Sequence, residues 1–212
     1  MNNRSNLQIY RRYAPLYDRL MRAWTAAARR KAIDMLQLQP GERLFIPGVG
    51  TGLDLPFIPA GVCIAAGDLS PSMLHQAREK RQEPVGFSVM DAQVLPLPNG
   101  SYDAVLLNLI LSVVPNGSTA MQEAWRVLKP GGRVAIFDKF LPEGSRLLGF
   151  RVLLGWLIRQ IGTDPNRRLG EILQGIRDAS VIIDQPVLLN GQYRVILLHK
   201  SANGSEEKCV PA

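Results

Sequence analysis

The sequence predicts an α/β protein, in which a mainly parallel β-sheet carries helices on both faces and ends in an antiparallel strand. Short apolar runs alternate with helical segments along most of the chain, which is typical of strand–helix–strand units. A glycine-rich turn directly follows the first of these runs. Near the end of the chain, Asn190-Gly191 lies between two β-type runs. This dipeptide indicates a hairpin, and therefore a last strand that runs against the others.

The first predicted element is a helix over residues 16–37. Its apolar face is expected to carry Leu16, Leu20, Trp24, Ala27 and Met35, with the arginines mostly on other faces. Pro40-Gly41 is expected to end this segment, because neither residue continues a helix easily.

Strands and helices then alternate. The first five strands are expected at Arg43–Pro47, Val62–Gly67, Val85–Val89, Ala104–Leu109 and Val134–Phe137. Ser70 can cap a helix that extends to Lys80, and a second helix covers Thr119–Val127. A further helix near Leu169–Ala179 precedes the hairpin. The hairpin strands are Pro186–Leu189 and Gln192–Leu198.

Composition limits the classes of protein that fit. The 212 residues suit one α/β domain, and 46% hydrophobic residues can bury a core. Cys63 and Cys209 are far apart and lack metal-ligand spacing, so we expect no disulfide, no metal site and a cytoplasmic location. The polar start, Met1 to Leu7, does not resemble a secretory signal. No run approaches the about 20 apolar residues that a membrane-spanning helix needs.

The net charge of +7 is unevenly distributed. Residues 1–40 contain eight basic and two acidic side chains, a local charge of +6 that leaves the rest of the chain nearly neutral. The basic residues are Arg4, Arg11, Arg12, Arg19, Arg22, Arg29, Arg30 and Lys31. Such an excess favours an anionic partner, either lipid headgroups or nucleic acid, although a solvated helix face explains it equally well.

The glycine-rich loop, Gly48-Val49-Gly50-Thr51-Gly52, follows the first predicted strand. Its three glycines allow positive φ angles and close approach of a ligand to the backbone. The spacing differs from the dinucleotide fingerprint G-x-G-x-x-G, because the third glycine comes one residue early. This difference disfavours NAD, but the loop alone would suit several nucleotide-like ligands.

Two acidic residues follow the next two strands. Asp68 ends the second strand, where a carboxylate can accept hydrogen bonds from both hydroxyl groups of a ribose. Asp91 follows the third strand, where it could accept from the exocyclic amine of adenine. Either residue could instead be an ordinary loop or capping aspartate. Their occurrence together with the glycine loop favours an adenosine-containing ligand.

Five motifs occur in order along the chain. They are Gly48–Gly52, Asp68–Leu74, Asp91-Ala92, Leu95–Asp103 and Arg126–Gly132. With them the chain resembles the class I S-adenosylmethionine-dependent methyltransferases over roughly residues 10–200. The nearest branches are the ubiquinone/menaquinone-biosynthesis type and the bacterial phosphatidylethanolamine N-methyltransferases.

The resemblance implies a Rossmann-like sheet of seven strands with an antiparallel last strand. It implies S-adenosylmethionine as cofactor and S-adenosylhomocysteine as product. We expect a basic helical cap over 1–37, a methyltransferase domain over 38–200 with lid helices over 146–180, and a loose tail over 201–212.

The resemblance also implies a set of site residues. The cofactor would contact Gly48, Gly50, Gly52, Asp68, Leu69, Met73, Asp91, Ala92, Asn108 and Leu109. In this set, Leu69 and Met73 would lie against the adenine, and Asn108 and Leu109 would lie below the methyl group. Tyr13 and Tyr17 resemble the Tyr-x-x-x-Tyr-Asp segment that covers the cofactor, with Tyr17 as a wall of the active site. Packing of an ordinary helix would explain both tyrosines as well.

One position departs from the family pattern. The family places an acidic residue two positions before the first glycine, where it orders the loop and the methionine end of the cofactor. This chain has Ile46 there, followed by Pro47, which also lacks a backbone donor. A catalytically silent member of the family therefore stays among the alternatives.

The methyl acceptor is expected to be a lipid or another hydrophobic molecule. The basic N-terminal segment contains Tyr10, Tyr13, Tyr17 and Trp24, a composition that suits a helix lying on an anionic membrane. Residues 147–158 are apolar almost all round, so they form a buried helix or meet lipid or substrate. Arg167-Arg168 could contact a phosphate. These features favour a phospholipid amine headgroup, with a prenylated quinone precursor as the runner-up.

Two further classes remain open. A nucleic-acid methyltransferase would explain the positive charge, but the chain has no segment that resembles a target-recognition domain. A Rossmann dehydrogenase would explain the glycines and Asp68, but not the later motifs. Neither His75 nor His199 belongs to a recognisable catalytic arrangement, and methyl transfer to an amine requires none.

Overall fold

A computed structural model describes residues 23–81, 83–141, 164 and 166–202. The strands are β1 (Arg43–Pro47), β2 (Cys63–Asp68), β3 (Val85–Val89), β4 (Tyr102–Asn108), β5 (Leu128–Lys139), β6 (Ala179–Leu188) and β7 (Tyr193–Lys200). The helices are α1 (23–35), α2 (Pro71–Arg78), α3 (Gly117–Val127) and the single turn α4 (Leu169–Ile172). Short 3₁₀ turns cover Leu55–Phe57 and Leu189–Gly191.

The seven strands form one sheet in the order β3-β2-β1-β4-β5-β7-β6. The first five pair in parallel, and β7 runs antiparallel to both of its neighbours. The predicted fold class is therefore confirmed. From β1 the chain proceeds outward to β3 and then returns to β4 on the other side of β1. The strand order thus reverses between β1 and β4, and the crevice at such a reversal is where open α/β sheets bind ligands.

The sheet is buried on both faces. Successive residues of β4 point alternately to two core clusters: Ala104 and Leu106 pack toward α1 and α2, and Val105 and Leu107 pack toward α3. A strand covered on both faces needs apolar side chains throughout, which explains why β4 appears in the sequence as a continuous apolar run.

The apolar face of α1 differs from the predicted one. Trp24 is 39% exposed and Ala27 is exposed, so the prediction is wrong for these two residues, whereas Met35 is half-buried and packs against the core. The buried face instead carries Thr25, Ala28, Arg29, Ala32, Ile33 and Leu36. These residues also recur at helical spacing, and small alanines let the helix lie close to the sheet. The buried face thus combines the small Ala28 and Ala32 with the larger Ile33 and Leu36. Leu16 and Leu20 lie outside the described residues.

The C-terminal elements also correct two predictions. The helix expected at Leu169–Ala179 ends at Ile172, because Gly175 adopts a positive φ of 88° and the following β-branched residues join β6. The hairpin itself is confirmed, since β6 and β7 pair antiparallel. Its reversal is longer than a two-residue turn and includes the 3₁₀ turn Leu189–Gly191.

The fifth strand begins earlier than predicted. It starts at Leu128, directly after α3, and not at Val134. Tyr102 pairs with Leu128 while Ala104 pairs with Arg133, so the intervening Pro-Gly-Gly segment forms an irregularity within the strand. The glycines therefore shape the entry of β5 and do not form a separate loop.

Several predicted features fall outside the described residues. They are most of the cap over 1–37, the apolar part of the lid over 146–161, and the tail from residue 203 onward. In the part of the chain that the structure describes, no helix has the length and apolar character needed to cross a membrane.

Candidate active site

The glycine loop follows β1 at the point where the strand order reverses. As predicted, all three glycines adopt positive φ, with 68° at Gly48, 56° at Gly50 and 79° at Gly52. A Cβ atom at Gly48 would approach Ile110 Cδ1 to 2.3 Å, and one at Gly52 would approach the Ala77 backbone to 2.9 Å. A Cβ atom at Gly50 would meet nothing within 4 Å. Gly48 and Gly52 therefore permit close packing within the protein, whereas Gly50 leaves backbone open to a ligand.

Asp68, at the end of β2, joins the glycine loop to the start of α2. Its Oδ2 accepts from the Gly50 backbone N–H at 2.9 Å, and its Oδ1 accepts from the Ser70 backbone N–H at 2.9 Å. Burial raises the pKa of the Asp68 carboxyl, and the two N–H donors oppose that rise. Ser70 provides the helix cap through Met73, so Asp68 is not the capping residue. Its oxygens keep lone pairs that could accept from a ribose diol.

Asp91 lies just beyond β3 and is engaged locally. Its carboxylate accepts from the Gln93 backbone N–H at 2.9 Å and from Gln93 Nε2 at 3.1 Å. Gln93 Oε1 in turn accepts from the Asn116 backbone N–H at 2.8 Å, which links two loops at the same edge of the sheet. These contacts are those of an ordinary loop aspartate, which is the alternative interpretation of Asp91.

The apolar residues of the predicted adenine site lie close in sequence to Asp68 and Asp91. Met73 and Ala92 are buried, whereas Leu69 is half-buried beside Asp68. Leu109 is also half-buried and adopts a positive φ of 58°, a conformation that few residues other than glycine take. Such a backbone at the exit of β4 is typical of functional turns.

Asn108 ends β4 and is 94% buried, with 6% exposure. Its Nδ2 donates to Asp54 Oδ1 at 2.7 Å. Its Oδ1 is buried and has no hydrogen-bond partner among the described residues. Buried polar atoms nearly always have partners, so this orphaned acceptor indicates a donor that lies outside the described residues.

Two residues that sequence reasoning missed complete this part of the site. Asp54 is 3% exposed, and both of its oxygens accept from Arg29 Nη1 at 2.9 Å. Arg29 Nε also donates to Thr25 Oγ1 at 3.0 Å. The sequence groups Arg29 with the basic residues of the N-terminal segment, but it is 7% exposed and faces the sheet. The sequence offered one signal for this part of the site, which is that Asp54 is an acidic residue two positions after Gly52.

A second buried acid lies at the end of β5. Asp138 is fully buried, and it accepts from the backbone N–H groups of Ser112 at 3.0 Å and Lys139 at 2.8 Å. Burial raises the pKa of Asp138. Burial lowers the pKa of the Lys139 ammonium, while Asp138 and Asp164 oppose that change. Asp138 thereby holds the loop after β4 against β5.

Other predicted site residues do not join the described site. Tyr13 and Tyr17 lie outside the described residues. Arg167 donates to the backbone oxygens of Leu111, Val114 and Pro115 and is 12% exposed at its side chain, so the prediction that it contacts a phosphate is corrected. Arg168 lies 4.0 Å from a Glu171 oxygen. Within the described ranges, no three His, Cys, Asp or Glu side chains are grouped as metal ligands.

The comparisons with known proteins agree with this geometry. A family described as a methyltransferase domain matches residues 46–136. The phosphatidylethanolamine N-methyltransferase of Cereibacter sphaeroides is 32% identical over 178 residues, which are 76% of this chain and 87% of that protein. A demethylmenaquinone methyltransferase of Tropheryma whipplei (strain Twist) is 33% identical over 170 residues, which are 74% of this chain and 70% of that protein. The chain therefore belongs to the S-adenosylmethionine-dependent methyltransferases.

Solved structures share the fold. A SAM-dependent methyltransferase of Thermotoga maritima superposes with a TM-score of 0.67 at 21% identity, covering 92% of this chain and 100% of that one. A geranyl diphosphate methyltransferase in complex with SAM gives a TM-score of 0.65 at 15% identity, covering 84% of this chain and 85% of that one.

The protein is an enzyme whose cofactor is S-adenosylmethionine. The described residues fit that cofactor, because the open backbone at Gly50, the carboxylate of Asp68 and the orphaned Asn108 oxygen lie at one edge of the sheet. A Rossmann dehydrogenase, which the glycines and Asp68 alone would also suit, is excluded by the family match.

Proposed function

We propose that this methyltransferase acts on a lipid or another hydrophobic acceptor, and that its preferred acceptor is the amine headgroup of a phosphatidylethanolamine-type phospholipid. The observation that carries the proposal is the relative from Cereibacter sphaeroides, which is 32% identical and is matched over 87% of its length. The apolar run at 147–158 and the basic N-terminal segment support it from the sequence. The enzyme would work from the cytoplasm at an anionic membrane surface.

In the proposed site, S-adenosylmethionine supplies an electrophilic methyl group on a sulfonium sulfur. Gly48, Gly50 and Gly52 would receive its methionine and ribose portion, and Asp68 would accept from the ribose hydroxyls. Asp91 and Ala92 would recognise the adenine edge, with Leu69 and Met73 against its ring. These residues contribute by binding and orientation, which can account for much of the rate of such a displacement.

On the acceptor side, Asn108, Leu109, Tyr13 and Tyr17 would form the floor and walls around the methyl group. The amine must reach this position unprotonated, because only its lone pair can displace the sulfur. The new N–C bond forms as the S–C bond breaks, and the methylated amine then releases a proton. A water-poor pocket favours the neutral amine, since burial disfavours the charged form.

A quinone precursor is the second candidate acceptor. Several relatives named demethylmenaquinone methyltransferase are 31–33% identical to this chain. A ring carbon or phenol would require a base that removes a proton. No residue is assigned as such a base in the proposed site. An amine that arrives neutral can attack through its lone pair and release its proton afterwards, and this difference favours the phospholipid.

The test uses the full chain with methyl-labelled S-adenosylmethionine and mixed vesicles. One set of vesicles contains phosphatidylethanolamine with an anionic lipid. The matched set keeps the anionic lipid and replaces the phosphatidylethanolamine with phosphatidylcholine, whose amine is already fully methylated. A third set contains demethylmenaquinone. Mass spectrometry of the extracted lipids identifies the labelled product.

We expect label in monomethylated phosphatidylethanolamine and none in the phosphatidylcholine set. Asp68→Ala should abolish the label, whereas Cys63→Ser should retain it, because exposed Cys63 begins β2 at the end remote from the glycine loop. Label in the quinone alone would support the second candidate. If neither lipid class is labelled while the cofactor binds, both proposed acceptors are wrong.

A further inference from the structure

Arg29, Asp54 and Asn108 form a buried triad between α1, the turn after the glycine loop and the end of β4. The contacts run from Arg29 Nη1 to both Asp54 oxygens at 2.9 Å and from Asn108 Nδ2 to Asp54 Oδ1 at 2.7 Å. All three residues are at most 7% exposed. The triad ends in Asn108 Oδ1, which is buried and has no partner among the described residues.

The carboxylate of Asp54 fixes the orientation of the Asn108 amide. An ionised carboxylate only accepts hydrogen bonds, so the amide must present its NH₂ group to Asp54 and its carbonyl oxygen to the other side. Arg29 holds Asp54 in place from α1. The orphaned atom is therefore an acceptor by chemical necessity, and its missing partner is a donor.

The position of this acceptor indicates which donor it receives. Phe45 on β1 lies opposite Val105 on β4, and Gly48 and Asn108 each follow that pair by three residues. Gly48 also lies against Ile110, so the start of the glycine loop meets the exit of β4. The acceptor is thus at the strand ends where the loop begins. The cofactor's α-ammonium group is the strong donor that a bound S-adenosylmethionine would bring to this place.

The same face of the sheet carries the departure from the family pattern. Ile46 is 1% exposed and belongs to the same buried cluster as Leu106, its apolar neighbour on β4. An acid at position 46 would have placed a negative charge on this face. Asp54 restores an acid on this side of the glycine loop, but through a different backbone position.

We infer that the Arg29–Asp54–Asn108 triad replaces the missing acid at position 46, and that Asn108 Oδ1 accepts a hydrogen bond from the α-ammonium group of S-adenosylmethionine. Asn108 is then a binding residue, whereas Asp54 and Arg29 are positioning residues that act through it. The Asp54–Arg29 ion pair has no net charge, and neither has the zwitterionic methionine end of the cofactor. The cofactor therefore needs no additional acid for charge balance.

The test is a thermodynamic cycle that combines a change in Asn108 with removal of the ligand's ammonium group. Binding is measured by calorimetric titration. The ligands are S-adenosylhomocysteine and its deamino analogue, which keeps the carboxylate but lacks the ammonium. In the wild type, loss of the ammonium should weaken binding about tenfold or more, the usual effect of a hydrogen bond to a charged group. In Asn108→Leu the two ligands should differ less than about twofold, because the acceptor is absent.

Two further variants keep the inference testable if Asn108→Leu does not fold. Asp54→Asn keeps the size of the side chain but no longer dictates the Asn108 orientation, so the ammonium should contribute less there than in the wild type. Adding Ile46→Asp to Asp54→Asn should restore discrimination between the ligands. Circular dichroism and thermal unfolding show whether each variant is folded.

The inference is wrong if the wild type binds the two ligands equally, or if Asn108→Leu and Asp54→Asn retain the full wild-type discrimination. Equal weakening of both ligands with unchanged discrimination would show that the triad is only structural. The inference rests on the cofactor site and not on the acceptor proposed above. An enzyme that passes this test but labels no lipid would contradict the proposed acceptor alone.

Discussion

Asp68 illustrates how one side chain can organise a site. It accepts from the backbone of the glycine loop and from the backbone at the start of α2, both at 2.9 Å. An asparagine at position 68 would have one acceptor oxygen and one NH₂ donor. It would therefore lose one of these bonds, and its NH₂ group would face a backbone N–H group. The carboxylate therefore positions the loop in addition to the ribose contact proposed for it.

We expect Asp68→Asn to weaken S-adenosylhomocysteine binding about 10–100-fold, since hydrogen bonds to a charged acceptor are lost. Asp34→Asn, whose carboxylate is 64% exposed on α1, is the matched control and should leave the affinity unchanged. Titration calorimetry on both variants checks the prediction. An Asp68→Asn affinity within twofold of the wild type would contradict the assigned role.

The pH dependence of Asp68 provides an independent measurement. Because burial raises its pKa, ligand affinity should fall on acidification at a higher pH than an ordinary aspartate would give. Stability should change in the opposite direction. The folded state of the ligand-free protein binds the Asp68 proton more tightly than the unfolded state, so this residue's contribution is greatest below the unfolded-state pKa. It declines as pH rises through the folded-state pKa. Comparing wild type with Asp68→Asn between about pH 4 and 7 isolates both effects.

At the scale of elements, α3 clamps the loop that precedes β4. Arg126 Nη1 donates to the Leu97 backbone oxygen at 2.7 Å, and Nη2 donates to the Leu95 backbone oxygen at 2.9 Å. Glu123 accepts from Arg126 and from the Leu95 backbone N–H at 2.8 Å. The hydrogen bond from Arg126 lowers the pKa of Glu123. The Leu-Pro-Leu-Pro and Arg-Val-Leu-Lys motifs thus occur together because they are in contact.

Arg126→Ala should reduce the free energy of unfolding by about 2 kcal/mol, since it leaves two loop carbonyls without this donor. Arg30→Ala is the control, because Arg30 is 70% exposed and its ion pair with Asp34 is 3.7 Å long. That variant should change stability by less than about 0.5 kcal/mol. Urea unfolding measures both. Equal losses in the two variants would show that the clamp contributes no more than a surface ion pair.

For the molecule as a whole, the unequal distribution of charge is the feature that bears on membranes. Residues 1–40 carry +6 of the net +7, but the burial of Arg29 against Asp54 removes one cation from the surface. Arg30 and Lys31 remain exposed on α1. A membrane-facing surface would therefore include these two residues and not Arg29.

The full chain should bind anionic vesicles and be released by salt, as electrostatic attraction requires. Arg30→Ala with Lys31→Ala should weaken this binding about tenfold or more, at roughly 1 kcal/mol per basic residue. Arg78→Ala with Arg177→Ala removes the same charge from exposed positions elsewhere and should have a smaller effect. Flotation assays compare the pairs. Equal weakening would mean that only net charge matters, and no vesicle binding at all would exclude the membrane surface as a partner.

The sequence by itself determined the features that depend on local conformation. Glycines 48, 50 and 52 adopt the predicted positive φ, and Ser70 caps α2 as expected. The strand–helix alternation and the final hairpin predicted the sheet, because burial on both faces and turn chemistry leave clear local patterns. The family motifs then identified the class of enzyme and its cofactor.

Only the tertiary structure decided which polar residues are buried together. Arg29 and Asp54 are 25 positions apart, and Asp54 and Asn108 are 54 positions apart, so no local pattern joins them. The sequence placed Arg29 on a basic surface and left Asp54 unassigned. Packing of small alanines turned α1 so that Arg29 faces the sheet, where an ion becomes favourable only beside its counterion. Contacts between distant residues depend on that packing, which short-range propensities do not encode.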